Sequence, residues 1–212
     1  MLSGGRNVRG AELVGVVMGA FEPVPAAMVS DYGTDVTLRR AHPADAARIL
    51  AWRQEPSARR YQPLQPRDLA SIEAEIATQA VPALGPNLDD KVRWIVEANR
   101  EPVGWITLTV TSREHATATV GYTIAERCHR RGYASAALRA VVTLAFAADG
   151  ANLERLEAVA AVENHGSRAV LAKVGFQEEG IARGLLTIEG VRIDHARYAL
   201  PRSEWHNPRH RG

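Results

Sequence analysis

The chain has 212 residues, a formal net charge of +2, an apolar fraction of 46% and one cysteine. At roughly 100–200 residues per domain, this length predicts one large domain, or one domain with an appendage, that buries a substantial core. The single cysteine, Cys128, excludes a disulfide scaffold within the chain, and the scattered histidines argue against a Cys/His metal site. Only Lys91 and Lys173 are lysines, but 24 acidic residues offset the many arginines, so the charge gives no strong pull toward nucleic acid.

The two ends of the chain differ from its middle. Leu13–Ala20 is an apolar run with Glu12 at its edge, and it is too short to span a bilayer, which disfavours secretion. Residues 1–35 are predicted to form an N-terminal extension, with Met28 as an alternative start, and residues 206–212 a basic tail. No segment qualifies as a transmembrane helix, so we expect a soluble, cytoplasmic protein.

The spacing of apolar residues divides the first half of the chain into a strand, two helices and three further strands. Leu69, Ile72 and Ile76 recur at helical intervals, whereas the residues around Tyr122 alternate as in an antiparallel meander. Two prolines and a glycine predict a loop over 81–90. The predicted elements are a strand at Val36–Arg39, helices at Pro43–Trp52 and Pro66–Gln79, and strands at Arg93–Ala98, Gly104–Thr111 and Thr117–Ala125.

The second half of the chain alternates helices with strands and ends in a hairpin. Leu138, Val141, Val142 and Ala145 form one stripe of a helix, and Gly175 stands where a left-handed cap ends another. The predicted elements are helices at Ser135–Ala147 and Ser167–Val174, a strand at Leu156–Val162, and hairpin strands at Ile181–Ile188 and Val191–Leu200. Together the halves predict an α/β (α+β) fold with a mixed, mostly antiparallel sheet of about seven strands and about four helices.

A basic turn with a glycine lies between the third strand of the meander and the next helix. In His129–Ala134, Gly132 allows close approach of the backbone to an anion, and Arg130 and Arg131 add positive charge. Free N–H groups at a helix start hold phosphate well, but taken alone such a turn is more often a solvated loop. The segment lacks the GKS/T ending of a Walker loop and the three-glycine spacing of a dinucleotide fingerprint.

A second group of residues surrounds the short helix that follows. It comprises Asn164–Ser167, a leucine at 171 and Lys173–Phe176. Asn164 or Ser167 can cap the helix and Gly175 can end it without any functional role. The order of the two groups is the informative feature, because the basic turn, an amphipathic helix, a buried strand and this second group follow one another.

With these motifs, the chain resembles the GNAT N-acetyltransferase superfamily, and within it the Rim-type branch of ribosomal-protein N-terminal acetyltransferases. The resemblance covers 36–205, where Gly132 and Ala134 match the family's pyrophosphate motif and His129 departs from its first position. It implies an N-acetyltransferase that moves an acetyl group from acetyl-CoA to a primary amine, either a protein N-terminus or a small molecule, with no metal and with a possible homodimer. By the same resemblance, Asn164 contacts the pantetheine arm or the acetyl carbonyl, and the thioester enters between the two strands beside the turn.

The resemblance also implies which residues hold the coenzyme, chiefly through the backbone of Arg130 to Ser135. The implied cofactor-binding residues are Ile124, His129, Arg130, Arg131, Gly132, Tyr133, Ala134, Ser135, Asn164, Ser167 and Lys173.

The catalytic groups are less closely fixed, because three family positions differ. Ala172 replaces a tyrosine that protonates the leaving thiolate in many relatives, and Thr119 and Ala136 replace glutamates. Asn164, Ser167 and Glu157 are the predicted catalytic residues. Ser167 is either the proton donor or a helix cap. Glu157 is either a base that acts through water or a carboxylate paired with an arginine. Glu126 is a further carboxylate candidate.

Two other functions stay open. One is a coenzyme A-binding module that has lost catalysis, which the missing tyrosine at 172 favours. The other is nucleic-acid binding, which the dispersal of the arginines disfavours. Residues 61–90 and the last hairpin are expected to select the acceptor amine, with Tyr122 lining the cleft or the core and Cys128 inert.

Overall fold

A computed structural model describes residues 29–31, 34–63, 67–78, 91–148 and 150–206. The predictions for residues 1–28, including Met28, for the loop at 81–90 and for all of the tail except His206 lie outside these residues, whereas 29–31 and 34–35 of the predicted extension are described as strand. The strands are β1 (Val29–Asp31), β2 (Thr34–Arg40), β3 (Lys91–Ala98), β4 (Glu101–Ser112), β5 (Thr117–Ile124), β6 (Arg155–Ala161), β7 (Gln177–Ile188) and β8 (Val191–Pro201). They form one sheet in the order β1-β2-β3-β4-β5-β6-β8-β7.

Five α-helices accompany the sheet. They are α1 (Ala46–Arg53), α2 (Pro56–Tyr61), α3 (Leu69–Thr78), α4 (Tyr133–Phe146) and α5 (His165–Val174), with short 3-10 turns at Pro43–Asp45, Glu126–Cys128 and Arg202–Glu204. The predicted fold class is confirmed, since the seven predicted strands and four predicted helices all appear with shifted ends. β1 and α2 are additional, and α2 escapes prediction because its six residues carry no apolar period. Gly175 caps α5 at φ 111°, as predicted.

The register of the sheet assigns residues to two faces. Arg93 pairs with Thr107, and Thr107 with Gly121, so the three share one face. Arg93 binds Glu75 of α3, so we call this the α2/α3 face. Tyr122 lies on the opposite face, where its hydroxyl contacts Ser167 of α5, and we call this the α4/α5 face.

The sheet divides between β5 and β6, which form its one parallel pair within the described residues. They pair only at Thr117–Arg155, Ala118–Leu156 and Thr119–Glu157. Beyond Thr119, β5 stays paired with β4 and β6 with β8, while β5 and β6 separate from each other. This split opens a cleft in the middle of the sheet.

The core surrounds α4, whose predicted stripe is confirmed. Leu138, Val141, Val142 and Ala145 are fully buried. Burial of each large aliphatic side chain contributes about 1.5–3 kcal/mol, which fixes α4 against the sheet and so fixes the turn at its start. In the described ranges, no helix is long and apolar enough to cross a membrane.

Candidate active site

The cleft between the separating strands contains a cavity of about 790 Å³. Val120–Ile124 of β5 and Ala158–Ala161 of β6 form two of its walls, and residues of α2, α5 and β8 contribute others. All eleven residues of the predicted cofactor set line this cavity, although they come from segments far apart in the sequence. The fold therefore brings the two sequence motifs together around one space.

The start of α4 forms one end of the cavity. Gly132 has φ 80° and precedes the helix without a side-chain cap, and Arg130 also has a positive φ, of 61°. The first backbone hydrogen bond of α4 runs from the Ala136 N–H to the Gly132 carbonyl, at 3.0 Å. The N–H groups of Tyr133 to Ser135 thus have no acceptor within the helix.

This end of the cavity fits a pyrophosphate. A Cβ placed on Gly132 would meet no atom within 4 Å, so the space over the turn is open to a ligand. Unbonded N–H groups and the positive end of the helix dipole favour an anion there. Arg130 and Arg131 are exposed beside it, and Lys173 lines the same cavity.

His129 holds the turn to the end of β5. Its Nε2 lies 2.7 Å from the carbonyl oxygen of Ile124. Since a carbonyl only accepts, Nε2 carries a proton and donates it. His129 is therefore a structural tie within the turn, and its Nδ1 is the nitrogen left for a ligand.

Asn164 and Ser167 have distinct roles at the start of α5. The Asn164 side-chain oxygen accepts from the Ser167 N–H at 3.0 Å, so Asn164 is the cap. The Ser167 hydroxyl lies instead 3.0 Å from the Tyr122 hydroxyl, which also donates to the Ser167 carbonyl at 3.2 Å. Burial raises the pKa of Tyr122 to about 12, so this hydroxyl stays protonated at neutral pH.

The two candidate carboxylates stand apart from the cavity lining. Glu157 accepts from the Arg155 side chain at 2.9 Å, and Arg155 also binds Glu179 at 2.6 Å. This is the arginine-paired arrangement given above as the alternative for Glu157. Glu126 accepts from the Ser57 backbone N–H at 2.6 Å.

α2 is joined by reciprocal hydrogen bonds to the 3-10 turn Glu126–Cys128, which leads into the basic turn. The Glu126 carboxylate takes the Ser57 N–H, in the first turn of α2, and the Glu55 carboxylate takes the Glu126 N–H at 2.9 Å. The bond from Ser57 lowers the pKa of Glu126. Gln62 just after α2 donates to the Thr123 hydroxyl at 2.8 Å. α2 therefore forms a wall of the cavity, and hydrogen bonds fix both ends of this helix.

The α2/α3 face beside the cavity carries a nearly buried arginine. Arg93 is 4% exposed, donates to Glu75 at 3.0 Å and lies 5.3 Å from the Trp105 ring centre. Burial acts to raise the pKa of Glu75, but a hydrogen bond from Lys91 and the charges of Arg93 and Arg67 lower it. Glu75 thus neutralises several cations close to the wall formed by Lys91 and Trp105.

One lining residue, His195, was missed by the sequence analysis. It is 2% exposed on β8, and its Nδ1 lies 2.9 Å from the Ile193 carbonyl oxygen. Its position in the last predicted strand is the only sequence signal that could have indicated a role in the site, and that position is equally typical of a core residue. Tyr122 was assigned to the cleft or the core, and its bond to Ser167 had no sequence signal.

The chain belongs to the GNAT acetyltransferase family, because residues 35–177 match the acetyltransferase (GNAT) domain. The resemblance drawn from the motifs is confirmed, and the chain is an acyl-CoA N-acetyltransferase.

Individual relatives agree with this class. The uncharacterized N-acetyltransferase YoaA of Bacillus subtilis (strain 168) is 31% identical over 165 residues, which cover 77% of this chain and 91% of YoaA. RimJ of Mycobacterium smegmatis, solved with CoA-disulfide, is 30% identical at a TM-score of 0.69, over 80% of this chain and 83% of that one. RimL, a ribosomal L7/L12 alpha-N-protein acetyltransferase, shares the fold at a TM-score of 0.67 and 18% identity, over 85% and 94% of the two chains.

Proposed function

We propose that this protein moves an acetyl group from acetyl-CoA to a primary amine by direct attack within a ternary complex. The observation that carries the proposal is the convergence of the eleven predicted residues on the cavity where β5 and β6 separate. A helix start at one end suits an anionic group, and the apolar cleft beyond it suits an extended chain.

The turn before α4 would hold the pyrophosphate of the coenzyme. The N–H groups of Tyr133 to Ser135 donate to the phosphate oxygens, and Arg130 and Arg131 supply charge. The solved complex of the RimJ relative with CoA-disulfide supports a coenzyme site in this fold. Asn164 uses its side-chain oxygen in the α5 cap, so its NH₂ group is the part that donates toward the pantetheine arm.

Bound acetyl-CoA supplies an activated acyl group as a thioester. The amine nitrogen forms a bond to the carbonyl carbon while the carbon–sulfur bond breaks. Ser167 lines the cavity and donates the proton that the leaving thiolate requires. The Tyr122 hydroxyl donates to Ser167 Oγ as well as toward the Ser167 carbonyl, so the serine proton is left for the thiolate. Positioning of the two reactants supplies much of the remaining acceleration.

The acceptor is a protein N-terminus or a small amine. An α-amino group has a pKa of about 7.7–8.0, against about 10.4 for lysine, so it needs less help from a base. Glu157 is the base that the sequence analysis proposes. It is paired with Arg155 and lies outside the cavity lining, so the contacts of the described residues give it no direct path to a bound amine.

Thiol release tests this proposal. The purified protein is mixed with acetyl-CoA and a panel of amines and peptides with free N-termini, and free thiol is followed together with coenzyme binding by calorimetry. Turnover with at least one amine is expected. Tight coenzyme binding with no turnover on any amine would favour instead a binding module, in line with Ala172 replacing the family's tyrosine.

A further inference from the structure

His195 lies where a side chain can enter the cavity from β8. It pairs with Ala161 of β6 and with Ala182 of β7, so both neighbouring strands present a methyl group beside the ring. His195 lines the cavity although it is only 2% exposed. Such a histidine is shielded from bulk water but accessible to a molecule in the cleft.

The hydrogen bond to Ile193 sets which nitrogen of His195 faces that cleft. Because the Ile193 carbonyl accepts, Nδ1 carries the proton, which leaves the lone pair of the neutral ring on Nε2. Nε2 makes no hydrogen bond to any described residue. Among the described residues, the fully buried side-chain polar atoms without a hydrogen-bond partner are Arg93 Nε and Trp105 Nε1. His195 Nε2 is not one of them although it has no partner, so it is not fully buried and keeps access to the cavity.

The register places this ring opposite the predicted proton donor. Ala161 and His195 are partners, as are Thr119 and Glu157, so His195 shares the α2/α3 face with Glu157. Ser167 meets Tyr122 on the α4/α5 face. A thioester in the split therefore has Ser167 on one side and His195 on the other.

We propose that His195 is the general base of the reaction, a role that rests on the acetyl transfer proposed above. Nε2 takes one proton from the acceptor ammonium and releases it later to solvent, and the Ile193 carbonyl stabilises the imidazolium through Nδ1. The neutral amine then attacks. As the amide forms, Ser167 gives its proton to the thiolate and the second amine proton passes through water to restore the Ser167 hydroxyl, so the N-acetylated amine, the free thiol and one proton are the products.

Other charged groups lie on the strand of His195 and on the elements beside it. Asp194, next to it in the chain, accepts from the Gly184 N–H at 2.6 Å, and Arg59 of α2 binds Glu189 at 2.8 Å. The titratable and charged groups on its own strand and on the elements packed against it are Arg155, Glu157, Glu163, Arg59, Arg60, Tyr61, Glu178, Glu179, Arg183, Glu189, Arg192, Asp194, Arg197 and Tyr198.

The test is His195→Asn, with His115→Gln as control. The asparagine amide can occupy the place of Nδ1 and still donate to Ile193, but it has no equivalent of Nε2. His115 lies exposed in the β4–β5 turn. The probe is the amine with the fastest wild-type turnover in the thiol-release panel, measured from pH 6 to pH 9.5, with coenzyme affinity determined in parallel.

The expected loss of kcat in His195→Asn is about 10²-fold near pH 7, the effect of removing a general base. The loss should shrink toward a few-fold at the highest pH, where the amine is already neutral, while coenzyme affinity stays unchanged. Long-range proton–nitrogen NMR of the wild type should show the neutral ring protonated on Nδ1.

Contrary results separate the two proposals. No wild-type turnover on any amine would refute acetyl transfer itself. With an active wild type, three results would show that His195 is not the base. His195→Asn could lose kcat by the same factor at every pH, or lose none. Glu157→Gln could show a larger pH-dependent loss of kcat than His195→Asn. An NMR signature with the proton on Nε2 would overturn the assignment without any activity measurement.

Discussion

The hydroxyl oxygens of Tyr122 and Ser167 lie 3.0 Å apart and join the separating part of β5 to the first turn of α5. This bond orients the Ser167 side chain toward the cleft, since the capping role at this helix belongs to Asn164. It makes the two hydroxyls a single unit in which Tyr122 stays protonated and Ser167 lines the cavity.

Removal of either hydroxyl should reduce turnover to different extents. Ser167→Ala is expected to lower kcat by about 10²-fold or more, as loss of a general acid does. Tyr122→Phe removes only the orienting hydrogen bond, worth about 1 kcal/mol, so a loss of about 5-fold is expected. Steady-state kinetics of thiol release measures both effects.

Tyr198→Phe is the matched control for Tyr122→Phe. The Tyr198 hydroxyl bonds Glu178 and Arg168 and does not line the cavity. This variant should lower the melting temperature and leave kcat unchanged. Equal effects of the two tyrosine variants on kcat would contradict the assigned role of Tyr122.

The pyrophosphate assignment predicts that Gly132→Glu weakens acetyl-CoA binding. The new carboxylate would occupy the open space over the start of α4 and repel phosphate, with an expected loss of at least about 10-fold, the value of one charged hydrogen bond. Calorimetric titration with acetyl-CoA measures it. Gly190→Glu is the control, because Gly190 in the β7–β8 turn has φ 83° and equally open space above it. Unchanged affinity in a folded Gly132→Glu protein would refute the site.

α2 leads directly into residues 61–90, which are expected to select the acceptor, so its capping by Glu126 predicts an effect on the acceptor rather than on the coenzyme. Glu126→Ala leaves the Ser57 N–H without its acceptor, so α2 should loosen and the KM for the amine should rise several-fold. Glu114→Ala, in the exposed β4–β5 turn, serves as control. A rise in KM for acetyl-CoA alone would contradict the view of α2 as an acceptor-side wall.

The ion pairs of Glu75 predict that the free energy of unfolding of the protein depends on pH. Its pKa is lowered in the folded state, so its contribution is present above the ordinary carboxyl pKa of about 4.3 and is lost as pH falls through the lower folded value. Glu75→Gln should destabilise the protein at pH 7 by about 2–4 kcal/mol, because Arg93 stays nearly buried without its counter-charge.

Urea unfolding at a series of pH values measures this effect. The difference between wild type and Glu75→Gln should narrow as pH falls below about 4.3. Glu73→Gln, on the exposed side of the same helix, should change little at any pH. A constant difference between wild type and Glu75→Gln across the acid range would show that the carboxylate charge is not the cause.

Local patterns in the sequence determined most of the secondary structure of this protein and indicated its family. The stripe of α4, the left-handed cap at Gly175 and the basic turn around Gly132 depend on residues a few positions apart, where spacing and backbone preference act directly. The order of those motifs was enough to indicate the family. The short helix α2 was missed, because its cap comes from Glu126, which lies 69 residues beyond Ser57 in the chain.

The tertiary structure alone decided which polar side chains meet in the cleft. Strand register sets Tyr122 and His195 on opposite faces, and one residue of slip would exchange those faces. The bond from Tyr122 to Ser167 spans 45 residues, and His195 reaches the cavity only because β8 lies between β6 and β7. Sequence spacing fixes such neighbours within a helix or strand, whereas contacts between strands far apart in the chain exist only once the sheet has formed.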